Sequence, residues 1–260
     1  MMDELHGILT SQNYPFHLVD GITVSRAITK YEGLRLARDV LYNIVDRKTV
    51  LYLSGGSLRS LYENFAKDKQ ISPGALALVD ERYGQRWHNI SNEKLIQDSG
   101  LLDYTNSLEV PFYPILQDPQ QDLDQTAKNY DMTISYLFAG FPKSIGLLGV
   151  GKDGHTAGIA PHRQSFAGQA EFNNPLFDVE QKLRLASSFS DLSGPFKERV
   201  TMTFTGLALI NIYIVLVFGE DKEEALKKMF EDGSEEEVPA RFFRRPEVAR
   251  RTLLITDQKV

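Results

Sequence analysis

Short, almost continuous apolar runs alternate along this chain with segments whose apolar residues recur at helical spacing. Val50-Leu51-Tyr52-Leu53 is one such run, Ala75-Leu76-Ala77-Leu78-Val79 is the next, and a third follows at 144–149. A strand that is apolar on both faces must be covered on both, which is typical of a parallel sheet between two layers of helices. The pattern therefore predicts an α/β fold.

The same two periodicities place the remaining elements. We expect helices over 24–46, 58–67 and 222–230, and further strands over 183–189, 199–204, 212–218 and 252–255. The stretch 100–125 is rich in Pro, Gln and Asp, and we expect it to be an extended excursion rather than a core element. No repeat or linker divides the chain, so a single domain over 1–260 is the simpler interpretation.

The charge balance and the absence of cysteine exclude several classes of function. The 29 Lys and Arg against 35 Asp and Glu give a net charge of −6, without a polybasic run, so we expect neither nucleic acid nor a membrane surface as a partner. Without cysteine there are no disulfides, thiolate catalysis or cysteine-based metal sites. With no signal-peptide pattern and no apolar stretch long enough for a membrane span, the expected compartment is the cytoplasm.

Polar segments follow two of the apolar runs, where ligands bind in an open parallel sheet. Ser54-Gly55-Gly56-Ser57 leads into a helix, so it is either a loop that offers backbone N–H groups to a phosphate or a tight turn that needs glycine. It lacks the Gly-Lys-Ser/Thr of a Walker A loop. Asp80-Glu81-Arg82 is either a surface salt-bridge cluster or a group that orients a sugar hydroxyl and a phosphate.

Residues 149–154 match the dinucleotide pattern Gly-x-Gly-x-x-Gly, but Gly158 and Pro161 follow too soon for the long helix that pattern requires. The glycines are better explained as making room for a ligand beside Asp153 and His155. His155 is either an acid/base residue or a structural histidine hydrogen-bonded in the turn. The other histidines are assigned to surface, capping or solvated loop positions, although His162 could line the same cleft: they are His6, His17, His88 and His162.

Taken together, these segments resemble the 6-phosphogluconolactonase family, which belongs with the glucosamine-6-phosphate isomerases in one sugar-phosphate superfamily. The most specific piece is the Gly-x-Gly-x-Asp-Gly-His-Thr-Ala segment that ends at Ala157. The other matching pieces follow the family's order: Ser54-Gly55-Gly56-Ser57, Asp80-Glu81-Arg82, Ser91-Asn92, Glu198-Arg199-Val200-Thr201 and Gly219-Glu220-Asp221-Lys222.

The resemblance implies a Rossmann-like, mostly parallel sheet with helices on both faces. It implies hydrolysis of 6-phosphoglucono-1,5-lactone to 6-phosphogluconate in the oxidative pentose phosphate pathway, with no metal and no cofactor, by a monomer or small homo-oligomer. His155 would be the acid/base residue, and Asp153 would lie beside it. The implied substrate-binding residues are Gly55, Gly56, Ser57, Asp80, Arg82, Gly151, Arg199 and Lys222.

Two alternatives stay open. Isomerases of the superfamily have a glutamate for ring opening where this chain has Ala160, and they usually have an aromatic residue where it has Arg82, so a glucosamine-6-phosphate isomerase or deaminase is the rival enzyme. Lactonases usually continue Ser-Leu-Phe-Pro-Gly after Thr-Ala, whereas this chain continues Gly158-Ile159-Ala160-Pro161-His162. Because of that departure, the second alternative is a protein that binds a sugar phosphate without hydrolysing a lactone.

Overall fold

A computed structural model describes residues 2–161, 184–190 and 197–260 of the chain. The strands in these ranges are β1 His17–Val19, β2 Ile22–Arg26, β3 Thr49–Leu53, β4 Ala75–Leu78, β5 Asp80–Arg82, β6 Phe112–Tyr113, β7 Lys143–Gly149, β8 Ala186–Ser190, β9 Glu198–Met202, β10 Ile212–Val217 and β11 Thr252–Thr256. The α-helices are α1 Met2–Ser11, α2 Lys30–Ile44, α3 Arg59–Asp68, α4 Asn92–Asp98, α5 Leu101–Ser107, α6 Leu123–Gly140, α7 Phe204–Ala208, α8 Glu223–Phe230 and α9 Pro246–Ala249.

Eight of these strands form one sheet in the order β1-β2-β11-β10-β7-β3-β4-β6, in which only the β1–β2 pair is antiparallel. Every residue of β3, β4, β10 and β11 is buried. Successive residues of a strand point to opposite faces, so the sheet is covered on both sides. The prediction of an α/β fold with a mostly parallel sheet flanked by helices is confirmed. No helix in the described ranges is both long and apolar enough to cross a membrane.

The expected helix over 24–46 begins too early. Residues Ile22–Arg26 form strand β2, which pairs in parallel with β11, and α2 begins only at Lys30. Thr29 caps that helix by accepting a hydrogen bond from the Glu32 N–H at 3.2 Å, and the Glu32 carboxylate accepts one from the Ile28 N–H at 3.0 Å. The Glu32 bond comes from the residue before the cap, which makes this a variant of the capping box, and the two bonds fix the start of the helix.

The expected extended excursion over 100–125 is also wrong. Residues Leu101–Ser107 form helix α5, and its Leu101 and Leu102 are buried in the main core. Phe112–Tyr113 then pairs with β4 as an edge strand of the sheet, and Leu123 already begins α6. The stretch is polar in composition because its acidic residues are exposed, while apolar residues anchor it to the core.

A second, three-stranded antiparallel sheet has the order β5-β9-β8. The chain passes into it directly from β4, because the Val79 N–H still donates to Leu53 O at 2.9 Å while Val79 O accepts from the Met202 N–H at 2.9 Å. The expected strands 183–189 and 199–204 correspond to β8 and β9, although Leu183 lies outside the described residues. Phe204 belongs instead to α7, which Thr203 caps by accepting from the Gly206 N–H at 3.0 Å.

Candidate active site

A cavity of about 270 Å³ lies beyond the carboxyl ends of β3 and β7, against the small sheet. Apart from Asp153, every proposed site residue lines it: Gly55, Gly56, Ser57, Asp80, Arg82, Gly151, His155, Arg199 and Lys222. Ser54, Asn92, Ala157 and Gly158 also contribute to its wall. A larger cavity of about 610 Å³ lies between the end of α1 and the start of α2, and no proposed site residue lines it. His162 lies outside the described residues.

The glycine loop after β3 is the tight turn that one interpretation of its sequence predicted, and its residues also line the cavity. Gly56 has a φ of 64°, which favours glycine, and begins a 3₁₀ turn that leads into α3. At Gly55, a Cβ atom would lie 1.9 Å from Oδ1 of Asn92, so any side chain there would displace that amide. The loop is therefore a tight turn that also brings its backbone to the cavity wall.

Residues 151–155 form a compact turn rather than the start of a long helix. The Gly151 N–H donates to His155 O at 2.8 Å, and the Gly154 N–H donates to Gly151 O at 2.9 Å. A Cβ at position 151 would lie 2.0 Å from the imidazole of His155, so the glycine makes room for the histidine ring itself. The Gly-x-Gly-x-x-Gly match therefore reflects this turn and not a dinucleotide fingerprint.

Asp153 and His155 form a close pair at the mouth of the cavity. Oδ1 of Asp153 lies 2.5 Å from Nδ1 of His155 and also accepts a hydrogen bond from the His155 N–H at 3.1 Å. Partial burial opposes ionisation of Asp153, but the hydrogen bonds and charge of His155 outweigh it and hold the pKa of Asp153 well below its usual range. The ionised carboxylate selects the tautomer in which Nδ1 carries the proton, which leaves Nε2 as the basic nitrogen.

A two-residue hairpin follows the histidine. Thr156 and Ile159 pair across it, and its central residues Ala157 and Gly158 have φ values of 52° and 67°, as in a type I′ turn. Thr201 holds the alanine in place by donating from Oγ1 to Ala157 O at 2.6 Å. A Cβ atom at position 158 would lie 2.6 Å from Oδ2 of Asp80. Because residue 158 is glycine, the turn can pack closely against that carboxylate. The departure from the usual lactonase sequence thus lies against a cavity carboxylate.

Two arginines lie opposite each other on the small sheet. Arg82 of β5 and Arg199 of β9 are register partners, and like charges directly opposite in an antiparallel pair repel each other. Asp80 offsets part of this charge, with Oδ2 3.8 Å from Nη1 of Arg199, and the two side chains are only 6% and 11% exposed. Lys222, in a 3₁₀ turn after β10, adds a third cation to the lining. This concentration of positive charge is suited to an anionic ligand group.

The three residues of β5 face two different sides, which the motif alone did not reveal. Asp80 and Arg82 line the cavity, whereas Glu81 between them is fully buried and faces the fold, as the two-residue period of a strand requires. Burial raises the pKa of Glu81, although hydrogen bonds to its carboxylate oppose that shift. The donors are Ser91 Oγ and the N–H groups of Arg82, Asn92 and Glu93, at 2.8–2.9 Å.

Asn92, the first residue of α4, joins this network to the cavity. Its Oδ1 accepts a hydrogen bond from Nη1 of Arg82 at 2.7 Å, and its Nδ2 donates to Asp80 O at 2.8 Å. In the sequence Ser91-Asn92 is only part of a motif, and the contacts of Asn92 with Arg82 and Asp80 become visible only in the tertiary structure. Nowhere in the described ranges do three His, Cys, Asp or Glu side chains cluster as metal ligands.

Comparison with known proteins identifies the relatives of this chain. The sequence pattern of the family described as glucosamine-6-phosphate isomerases/6-phosphogluconolactonase matches residues 33–253. The 6-phosphogluconolactonase of Rhizobium meliloti is 27% identical over 221 residues, which cover 84% of this chain and 88% of the relative. That of Synechocystis sp. is 31% identical over 200 residues, covering 73% and 75%.

Solved structures show the same fold. The 6-phosphogluconolactonase from Plasmodium vivax superposes with a TM-score of 0.76 at 17% identity, covering 99% of this chain and 96% of that one. A monomeric glucosamine-6-phosphate deaminase superposes with a TM-score of 0.65 at 17% identity, covering 90% and 96%. Since the family pattern spans most of the sequence, this chain belongs to the glucosamine-6-phosphate isomerase/6-phosphogluconolactonase family.

Proposed function

We propose that this protein hydrolyses 6-phosphoglucono-1,5-lactone to 6-phosphogluconate. The observation that carries the proposal is that one cavity is lined by His155, which is paired with Asp153, and by three cations, Arg82, Arg199 and Lys222. A hydrolase for a phosphorylated lactone needs both an acid/base group and a separate anion site. The curated relatives carry the name of this enzyme, which supports the choice of substrate.

His155 acts first as a general base. Its Nδ1 proton is held by the ionised Asp153, so Nε2 accepts a proton from the attacking water. The water oxygen forms a bond to C1 of the lactone, and the carbonyl electron pair moves onto its oxygen. The product of this step is a tetrahedral intermediate and an imidazolium, whose positive charge the carboxylate of Asp153 stabilises. The side chains of Asp153 and His155 are 51% and 45% exposed, so water can reach them.

The same residue then acts as a general acid. When the intermediate collapses, the C1 carbonyl reforms and the bond between C1 and the ring oxygen breaks. The imidazolium returns its proton to the ring oxygen, which becomes the free hydroxyl of the open-chain acid. His155 ends the cycle in its starting tautomer, and the reaction needs only water as a second reactant.

The phosphate would bind to the cations that line the cavity. A dianion relieves the repulsion between Arg82 and Arg199, whose guanidinium groups are well suited to phosphate oxygens. The N–H groups of the glycine loop at the start of α3 would contribute further donors. Asp80 accepts hydrogen bonds only, and it would orient a sugar hydroxyl. The isomerase alternative is less well supported because Ala160 offers no acid for ring opening.

The direct test is an assay with freshly made 6-phosphoglucono-1,5-lactone. We expect the enzyme to release acid clearly faster than the spontaneous hydrolysis in the same buffer, as measured with a pH indicator. Glucosamine 6-phosphate serves as the comparison substrate, and no ammonia should be released from it. Equal rates with and without the protein would refute the proposal, and ammonia release would favour the isomerase alternative.

Asp153→Asn should lower kcat by roughly tenfold or more, because a neutral amide does not enforce the tautomer with the proton on Nδ1 and carries no charge to stabilise the imidazolium. Since the pKa of Asp153 lies well below its usual value, this carboxylate is already ionised at pH 5 and above. Its titration therefore cannot cause a fall in rate between pH 7 and pH 5. Any fall in kcat/KM between pH 7 and pH 5 should therefore be present in both the wild type and the Asn variant. A fall that is present in the wild type and absent in Asp153→Asn would contradict the assignment of an ionised carboxylate to Asp153.

A further inference from the structure

We propose that His88 is a positioning residue that holds Arg82 at the substrate cavity. His88 does not line the cavity; it lies in the loop 83–91 between β5 and α4, partly buried. The inference rests on the proposed function, because it assumes that Arg82 binds the phosphate of the substrate. It assigns a task to a histidine that the sequence analysis placed among surface and capping residues.

Both ring nitrogens of His88 are engaged by the loop around it. Nε2 lies 2.9 Å from Arg82 O, and Nδ1 accepts a hydrogen bond from the Ile90 N–H at 3.3 Å. A carbonyl oxygen can only accept, and an amide N–H can only donate, so the partners require the neutral ring with its proton on Nε2. The imidazole also packs against Gly84, where a Cβ would lie 3.2 Å from its Cδ2 atom.

These contacts connect His88 to both ends of Arg82. The ring holds the backbone carbonyl of Arg82 directly. It also holds the N–H of Ile90, whose carbonyl oxygen accepts a hydrogen bond from Nη1 of Arg82 at 2.6 Å. The second acceptor of Nη1 is Oδ1 of Asn92, at 2.7 Å, just beyond the same loop. Through the loop, His88 therefore fixes where the guanidinium lies.

The backbone of the loop folds around the histidine. The His88 N–H donates to Gln85 O at 3.1 Å, and His88 O accepts from the Ser91 N–H at 2.9 Å. Ser91 then caps α4, and Asn92 follows as its first residue. Removing the imidazole leaves these backbone bonds in place but removes the two ring hydrogen bonds, to the Ile90 N–H and to Arg82 O. We expect the loop to stay folded while the guanidinium of Arg82 loses its fixed place.

The test compares His88→Phe, His88→Gln and the control His17→Phe in the lactone assay. His17 is an exposed residue of the edge strand β1, outside the cavity. His88→Phe removes both ring hydrogen bonds, and we expect KM to rise roughly fivefold to thirtyfold with kcat within about twofold. His88→Gln retains a donor for Arg82 O and should recover part of that loss. His17→Phe should leave both constants unchanged.

A double-mutant cycle separates positioning from a general structural role. In an Arg82→Met background, His88→Phe should raise KM by no more than about twofold, because the group it positions is already gone. Binding of 6-phosphogluconate, measured by calorimetry, should show the same pattern without any turnover. Thermal unfolding of each variant checks that the chain remains folded.

The outcomes distinguish the inference from the function on which it rests. An inactive wild-type protein would refute the proposed function, and the calorimetric arm would then still test His88. An active wild type whose KM and 6-phosphogluconate affinity are unchanged in His88→Phe would overturn the inference alone. The inference would also be overturned if His88→Phe raised KM equally in the presence and absence of Arg82. The same holds if KM rose as much in His88→Gln as in His88→Phe.

Discussion

Replacing His155 with alanine is expected to lower kcat by roughly 10²- to 10⁴-fold, the range that general acid–base catalysis usually supplies. The imidazole is the group that both removes the proton from water and returns one to the ring oxygen, so its loss affects two steps. KM should change little, because other side chains that line the cavity, the cations Arg82, Arg199 and Lys222, would bind the phosphate. Steady-state rates with fresh lactone, corrected for spontaneous hydrolysis, measure both constants.

The matched control is His17→Ala, which removes an exposed histidine outside the cavity. It should keep the wild-type rate. His155→Ala should retain tight 6-phosphogluconate binding and a thermal unfolding midpoint near that of the wild type, since the ring is about half exposed. A His155→Ala variant with unchanged kcat would exclude the imidazole as the acid/base group, whatever the identity of the substrate.

The central sheet could be predicted because its strands are buried on both faces. β3, β4 and β10 are almost continuous apolar runs, and the helical spacing of the neighbouring segments does not overlap them. The start of α2 could not be read in the same way. Ile22 and Val24 alternate with Thr23 and Ser25, all of them buried, and the helical pattern begins only a few residues later. Two periods overlap there, and the capping box at Thr29 was the signal that separates them.

The stretch 100–125 shows where composition misleads. Its acidic residues are exposed, yet Leu101 and Leu102 are buried on a helix of only seven residues. So short a helix is stable only through its tertiary contacts, which no local pattern reveals. The edge strand Phe112–Tyr113 is shorter still, and its pairing with β4 is a property of the assembled sheet.

The site could be predicted where its chemistry is local in sequence. Asp153 and His155 are two residues apart in one turn, so their contact follows from the motif. The register of Arg82 with Arg199 joins residues far apart in the chain, and the sequence gives no sign of it. The inward-facing position of Glu81 could have been predicted, because alternate residues of a strand face opposite sides. The contacts of His88 with Arg82 O and the Ile90 N–H depend on a loop conformation that sequence patterns do not specify.

Arg199→Met should raise KM for the phosphorylated lactone by roughly 30-fold or more, which corresponds to the loss of one buried partner of a charged pair. The guanidinium is almost completely buried beside Asp80, so it exerts its charge with little screening by solvent. Its loss also leaves the Asp80 carboxylate facing the phosphate without this counter-ion. Glucono-1,5-lactone, which has no phosphate, should be hydrolysed with nearly the same kcat/KM by both proteins.

The ratio of kcat/KM for the two lactones is therefore the decisive measurement. Arg199→Lys retains the charge but not the planar fork of donors, and we expect it to fall between the wild type and the Met variant. Arg250→Met removes an exposed arginine that does not line the cavity and should leave the ratio unchanged. If Arg199→Met lowered the rate on both lactones equally, Arg199 would not be a phosphate ligand, and the anion site would have to rest on Arg82, Lys222 and the glycine loop.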